Sequence, residues 1–188
     1  ARAEAAPDPS VHVLTPDYQL DAAGISVPGY AWNDAPGAPR LPVYGTIVEL
    51  PASGDCQITY DSAGSRILDA RAQVPAVPVP QFPEPTPQNQ APALAELGPP
   101  LLLDQPDPAI YGVDAFYPTA PVVTGDVQWQ RGRRLLAVRV FPFQYNPVTG
   151  ELRYHPDIAL TVHVTPAAAG NDATDPSGAS TAEAAPGN

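Results

Sequence analysis

The residues able to do chemistry are few and poorly spaced for it. One cysteine, Cys56, and three histidines, His12, His155 and His163, are scattered over 188 residues. A thiolate nucleophile needs a base within hydrogen-bond reach, and nothing in the sequence warrants that pairing. A zinc site needs Cys and His at short intervals, which are absent. A single cysteine also excludes an intrachain disulfide. There is no phosphate-cradling glycine loop and no nucleophile elbow. Cys56 reads as a small apolar strand residue, His163 as the wet side of a strand, and His155, beside Pro156, as a turn residue. The expectation is a non-enzyme with no cofactor and no metal. Binding is what remains. Arg131, Arg133 and Arg134, around Gly132, form the one basic cluster. It reads as a solvated hairpin loop, a patch for docking on an acidic protein, or a processing site. Trp129, Phe141, Phe143 and Tyr145 fit a core more simply than a sugar-binding platform.

Composition narrows the partners. Nine arginines and no lysine stand against 20 acidic residues, for a net charge of −11. Such a chain repels phosphate backbones and anionic lipid, so neither nucleic acid nor a membrane surface is an expected partner. No apolar run approaches the ~20 residues of a membrane span.

The elements that must position these residues are short strands. Val11–Leu14, Gly24–Val27, Tyr44–Leu50, Cys56–Tyr60 and Arg66–Leu68 recur between Gly, Pro and Asp turns, the pattern of a β-sandwich. Leu135, Leu136, Val138, Val140, Phe141 and Phe143 form an apolar run too β-branched for a helix. Asn146-Pro147-Val148-Thr149-Gly150 closes a hairpin, with Pro147 presetting φ and Gly150 free to take a positive one. Ile158, Leu160, Val162 and Val164 then alternate with polar or small residues, as on a half-buried strand. The predicted fold class is all-β: an antiparallel, jelly-roll-like β-sandwich over residues 10–166, after a flexible start at 1–9.

Two stretches break the rhythm. Residues 72–109 hold 11 prolines in 38 positions, which argues for an extended, exposed loop outside any sheet. Residues 167–188 have no Val, Ile, Leu or aromatic side chain. They read as a disordered, low-complexity linker to an absent downstream domain.

One block carries a family likeness. Arg131-Gly132, Phe141-Pro142, Gln144-Tyr145-Asn146-Pro147-Val148-Thr149 and Leu152 resemble the N-terminal propeptide of gingipain-like cysteine peptidases. Gly37-Ala38-Pro39-Arg40-Leu41-Pro42 matches that family's Gly-x-Pro-x-Leu-Pro element, and Ala115-Phe116-Tyr117-Pro118 resembles its aromatic-Pro element. The resemblance implies a jelly-roll-like prodomain, secreted or at the cell surface, that aids folding and keeps a downstream cysteine peptidase catalytic domain latent. Gly132, Pro142, Gln144, Tyr145, Asn146 and Pro147 would be structural. The family's inhibitory loop would fall at Val74–Gln90, where its best-known members place an Arg or Lys in the specificity pocket. Residues 72–90 contain no basic side chain, so the candidate plug becomes Val79, Pro80, Gln81, Phe82 and Pro83. The competing expectation is an extracellular sandwich module, tethered by linkers, that binds carbohydrate or protein.

Overall fold

The computed structural model describes residues 9–15, 17–21, 24–82 and 100–165. Pro83, most of the expected flexible start and the 167–188 linker therefore lie outside the described residues. Strand pairing throughout is antiparallel. In chain order the strands are β1 (Ser10–Leu14), β2 (Gln19–Asp21), β3 (Gly24–Ser26), β4 (Ala31–Trp32), β5 (Pro42–Leu50), β6 (Asp55–Ala63) and β7 (Arg66–Asp69). Then come β8 (Val79–Gln81), β9 (Leu101–Leu103) and a one-turn helix, α1 (Pro108–Tyr111). The last are β10 (Val122–Gln130), β11 (Arg133–Val140), β12 (Phe143–Asn146), β13 (Glu151–Tyr154) and β14 (Asp157–Thr165).

Two sheets, ordered β1-β14-β6 and β10-β11-β5-β4, share one core. Period-2 alternation puts Ile158, Leu160 and Val162 on the inner face of β14, and all three are buried. Leu136, Val138 and Val140 meet them from β11, with Val48 and Leu50 from β5. Each such side chain contributes on the order of 2 kcal/mol of hydrophobic stabilisation. The sandwich expectation holds here, and the strand reached by alternation is its centre.

A second core forms under the sheet β12-β13-β7. Phe143 stacks on Tyr154 at 4.9 Å between ring centroids, and Tyr18 meets Phe143 edge-on at 5.2 Å. Ile25, Leu41, Val43, Val74 and Leu152 close around them. The chain passes between the cores at several points, two of them at Phe141-Pro142 and at His155-Pro156. Val140 belongs to the first core and Phe141 to the second. The His155 amide donates to the Pro142 carbonyl at 2.8 Å, which ties the two crossings together.

Three features depart from the sequence reading. The proline-rich stretch is not all loop: β8 and β9 pair within it, Val79 opposite Leu103, Pro80 opposite Leu102 and Gln81 opposite Leu101. In a two-stranded ribbon every strand is an edge, so the proline's missing amide can face outward. His155 is no exposed turn residue but a buried one. Trp129 is not core: it stands 61% exposed on the sheet-edge strand β10, while Phe141, Phe143 and Tyr145 are buried.

Candidate functional site: a proline-rich ribbon and its clamp

Cysteine and histidine chemistry is dispersed by the fold. Cys56 lies opposite Val164 on β14, while His163 lies opposite Gln57, the next residue along, and so on the other face. His163 Nε2 lies 3.0 Å from the Thr59 hydroxyl, and His12 Nε2 lies 2.5 Å from Asp157. No cluster of metal-ligating residues occurs among the described residues. Nothing here assembles a nucleophile and a base.

The feature that stands off the body is the β8–β9 ribbon. Phe82, just past β8, is 58% exposed, and Leu101 and Leu102 on β9 are 64% and 62% exposed. Leu101 and Leu102 alternate to opposite faces of β9, so with Phe82 the ribbon shows exposed apolar side chains on both faces, of the kind that soluble proteins reserve for contact. The candidate residues Val79, Pro80 and Gln81 are β8 itself; Val79 is half-buried and the other two are exposed.

The roots of this ribbon are gripped by the motifs that carried the family likeness. On the outgoing side, the Gly37 amide donates to the Val77 carbonyl at 2.8 Å. The Val77 amide donates back to Ala38 at 2.7 Å, and Arg40 donates to Pro75 at 2.8 Å. On the return side, the Asp107 amide donates to the Gly37 carbonyl at 2.9 Å. Gly37 thus touches both arms. It has φ of +76°, and a Cβ there would sit 3.0 Å from the Asp107 nitrogen. Only glycine takes that turn without strain.

The second grip is Gln144-Tyr145-Asn146. The Tyr145 hydroxyl donates to the Ala72 carbonyl at 3.0 Å, at the foot of the outgoing arm. The Asn146 Nδ2 donates to Asp114 at 2.7 Å, while its Oδ1 accepts from Val148 at 3.1 Å, so one buried amide shapes the hairpin and holds the return segment. Gln144 Nε2 donates to the Pro118 carbonyl at 2.7 Å. Tyr117 and Tyr145 also exchange backbone hydrogen bonds at 2.8 and 2.9 Å. Between the grips, Asp107 caps α1 through the Ala109 amide, and the Tyr111 hydroxyl reaches the Val74 carbonyl at 3.4 Å. Burial pushes the Tyr111 phenol up to about 12, so it stays a neutral donor at any physiological pH.

The basic cluster sits elsewhere, on the β10–β11 hairpin. Arg131 and Gly132 form its two-residue turn with φ of 50° and 77°. Arg133 forms an ion pair with Glu49, and this exposed pairing holds the Glu49 carboxyl below its usual range. Arg134 donates to the Gly54 carbonyl at 2.7 Å and braces the β5–β6 turn. Other guanidiniums serve the fold as well: Arg40 stacks over Trp32 at 4.4 Å and Arg153 over Phe116 at 3.8 Å. Beside the hairpin, Ile47, Leu135 and Ala137 help line a shallow depression.

Sequence reasoning missed Leu101, Leu102, Tyr111, Asp114 and His155. For the leucines the signal was present, as an apolar triplet bounded by Pro100 and by Asp104. The others act across long sequence separations that no local pattern encodes.

The Propeptide_C25 family model matches residues 21–177, and the chain belongs to that family. It is a propeptide of a gingipain-like cysteine peptidase and is not itself the catalyst. That membership displaces the alternative of a free-standing binding module. Solved structures that share the fold include the following two. One is the complex of Porphyromonas gingivalis RgpB pro- and mature domains, at 18% identity and TM-score 0.60, covering 87% of this chain and 81% of that one. The other bears on the zymogenic latency of gingipain K from Porphyromonas gingivalis, at 16% identity and TM-score 0.54, covering 84% and 87%. No curated protein matches the chain.

Proposed function

We propose that this propeptide aids folding of its cognate C25 peptidase and holds it latent by laying the ribbon across the active-site cleft. The observation that carries this reading is the exposure of Phe82, Leu101 and Leu102 on a ribbon gripped at both roots. Pairing β8 with β9 orders six residues before docking. At about 1 kcal/mol per residue of backbone ordering, roughly 6 kcal/mol of entropic cost is met in advance. Flanking prolines resist cleavage of the arm that the enzyme would otherwise treat as substrate.

The chain has no basic residue between Arg71 and Arg131. The ribbon therefore offers an uncharged plug, Gln81-Phe82, and its cognate cleft takes a neutral or apolar side chain. Arg131, on the separate hairpin, supplies a secondary contact to an acidic surface of the peptidase. The family's peptidases act outside the cell, and an extracellular or cell-surface location follows for this chain. No helix among the described residues is long and apolar enough to cross a membrane.

Phe82→Ala should raise the inhibition constant against the cognate peptidase at least tenfold, since about 1.4 kcal/mol of lost apolar contact is a factor of ten. Steady-state inhibition at fixed substrate measures this, and an unchanged constant would remove Phe82 from the cleft.

A further inference from the structure

His155 lies at the crossing between the two cores that precedes β14 and is only 4% exposed. Its ring is held by one amide. Gln144 Nε2 must face the Pro118 carbonyl, because a carbonyl only accepts, and this leaves Gln144 Oε1 toward His155. The 2.8 Å contact between Oε1 and His155 Nε2 then requires a proton on Nε2. Nδ1 is left as the acceptor-side nitrogen, buried and without a hydrogen-bond partner among the described residues. The neutral ring fits this pocket, whereas a protonated one would bury an unpaired N–H and a charge.

The surroundings offer that charge no relief. From β13 the Arg153 guanidinium acts on the ring, and with the same sign. From the segment after β1, the Thr15 hydroxyl reaches the His155 carbonyl rather than the imidazole. Asp157, two residues onward, is engaged by His12, and Asp17 acts on Tyr154. From β12 and the 117–118 segment the ring meets the uncharged Gln144 network.

We propose that His155 is an acid-sensitive latch for the return arm of the ribbon: a proton can enter only at Nδ1, which has no acceptor in its buried pocket, so the charged ring turns out to water, gives up its bond to Gln144, loosens the Pro118 segment and relaxes inhibition. This rests on the chain's reading as a latency-maintaining propeptide. Burial, then Arg153, holds the imidazole down to about 4 from its ordinary 6.5. An unfolded or locally opened chain therefore takes up the proton first. Stability given by the neutral ring is complete above about pH 6.5 and is lost as pH falls through that value towards 4. By pH 4.5 the closed state should lose roughly 75-fold in its equilibrium against opening.

The test uses the 188-residue chain. Its imidazole and side-chain amide resonances are followed by NMR from pH 7.5 to 3.5, and its affinity for the cognate C25 peptidase is measured at pH 7 and 4.5. The latch predicts that His155 titrates below pH 5, that the Gln144 amide moves with it, and that affinity falls at least tenfold. His155→Gln, which cannot charge, should flatten that fall to within threefold, separating it from any pH dependence of the peptidase. A His155 midpoint near 6.5, an unmoved Gln144 amide, or equal affinity at both pH values would overturn the latch. The titration on the unaltered chain decides the matter even if the variant fails to fold. Coupled titration without binding at pH 7 would instead refute the inhibitory function and leave the latch as a property of the fold.

Discussion

Gly37→Ala is expected to weaken inhibition of the cognate peptidase about 30-fold while leaving both cores intact. The added methyl meets the Asp107 nitrogen at 3.0 Å and the Gln105 carbonyl at 3.1 Å, on a backbone with φ of +76°. Left-handed conformation costs a non-glycine residue about 1–2 kcal/mol, and crowding adds about 1 kcal/mol more. The molecule relieves this by letting the ribbon root swing away, since the hydrogen bonds at risk join Gly37 to Val77 and Asp107 and not to either core. An arm that must then be ordered on docking loses about 2 kcal/mol of affinity, which is the 30-fold. Inhibition kinetics and a thermal melt on the same sample check both halves. A large loss of melting temperature with unchanged inhibition would show that Gly37 serves the fold and not the ribbon.

Phe143→Ala should cost about 4 kcal/mol of global stability, read as a lowered denaturant midpoint at constant m-value. Phe143 is fully buried, stacks on Tyr154 and meets Tyr18 edge-on. Large-to-small changes at such sites lose transfer free energy and leave a cavity. Against a total stability of about 5–15 kcal/mol this is about a quarter or more. The residue sits directly before Gln144 and Tyr145, so the same loss should loosen the grip on the Pro118 and Ala72 carbonyls. A cost under 1 kcal/mol would mean that the second core is not packed as described.

These two residues show what the sequence did and did not make legible. The hairpin at Asn146–Gly150 and the inward alternation of Ile158, Leu160 and Val162 were readable because turn chemistry and period-2 burial are local. The all-β class followed from the same short-range signals. Gly37 was readable only as part of a family motif. Its reason, contact with Asp107 seventy residues on, is tertiary. Gln144 and His155 were opaque for the same cause: a buried polar side chain is defined by its partners, and Pro118 lies 26 residues from Gln144. The β8–β9 pair was hidden by its prolines, which disfavour an interior strand but tolerate a two-stranded ribbon. Trp129 was misplaced because alternation does not reveal a strand at the uncovered edge of its sheet.

The central claim is that the ribbon, and not the sandwich body, silences the peptidase. Its most direct test replaces residues 79–103 with a short Gly-Ser connection and compares the inhibition constant with that of the intact chain, after confirming an unchanged melt. The account predicts at least a hundredfold loss of inhibition by a domain that still folds. Full inhibition by the ribbonless domain would contradict it.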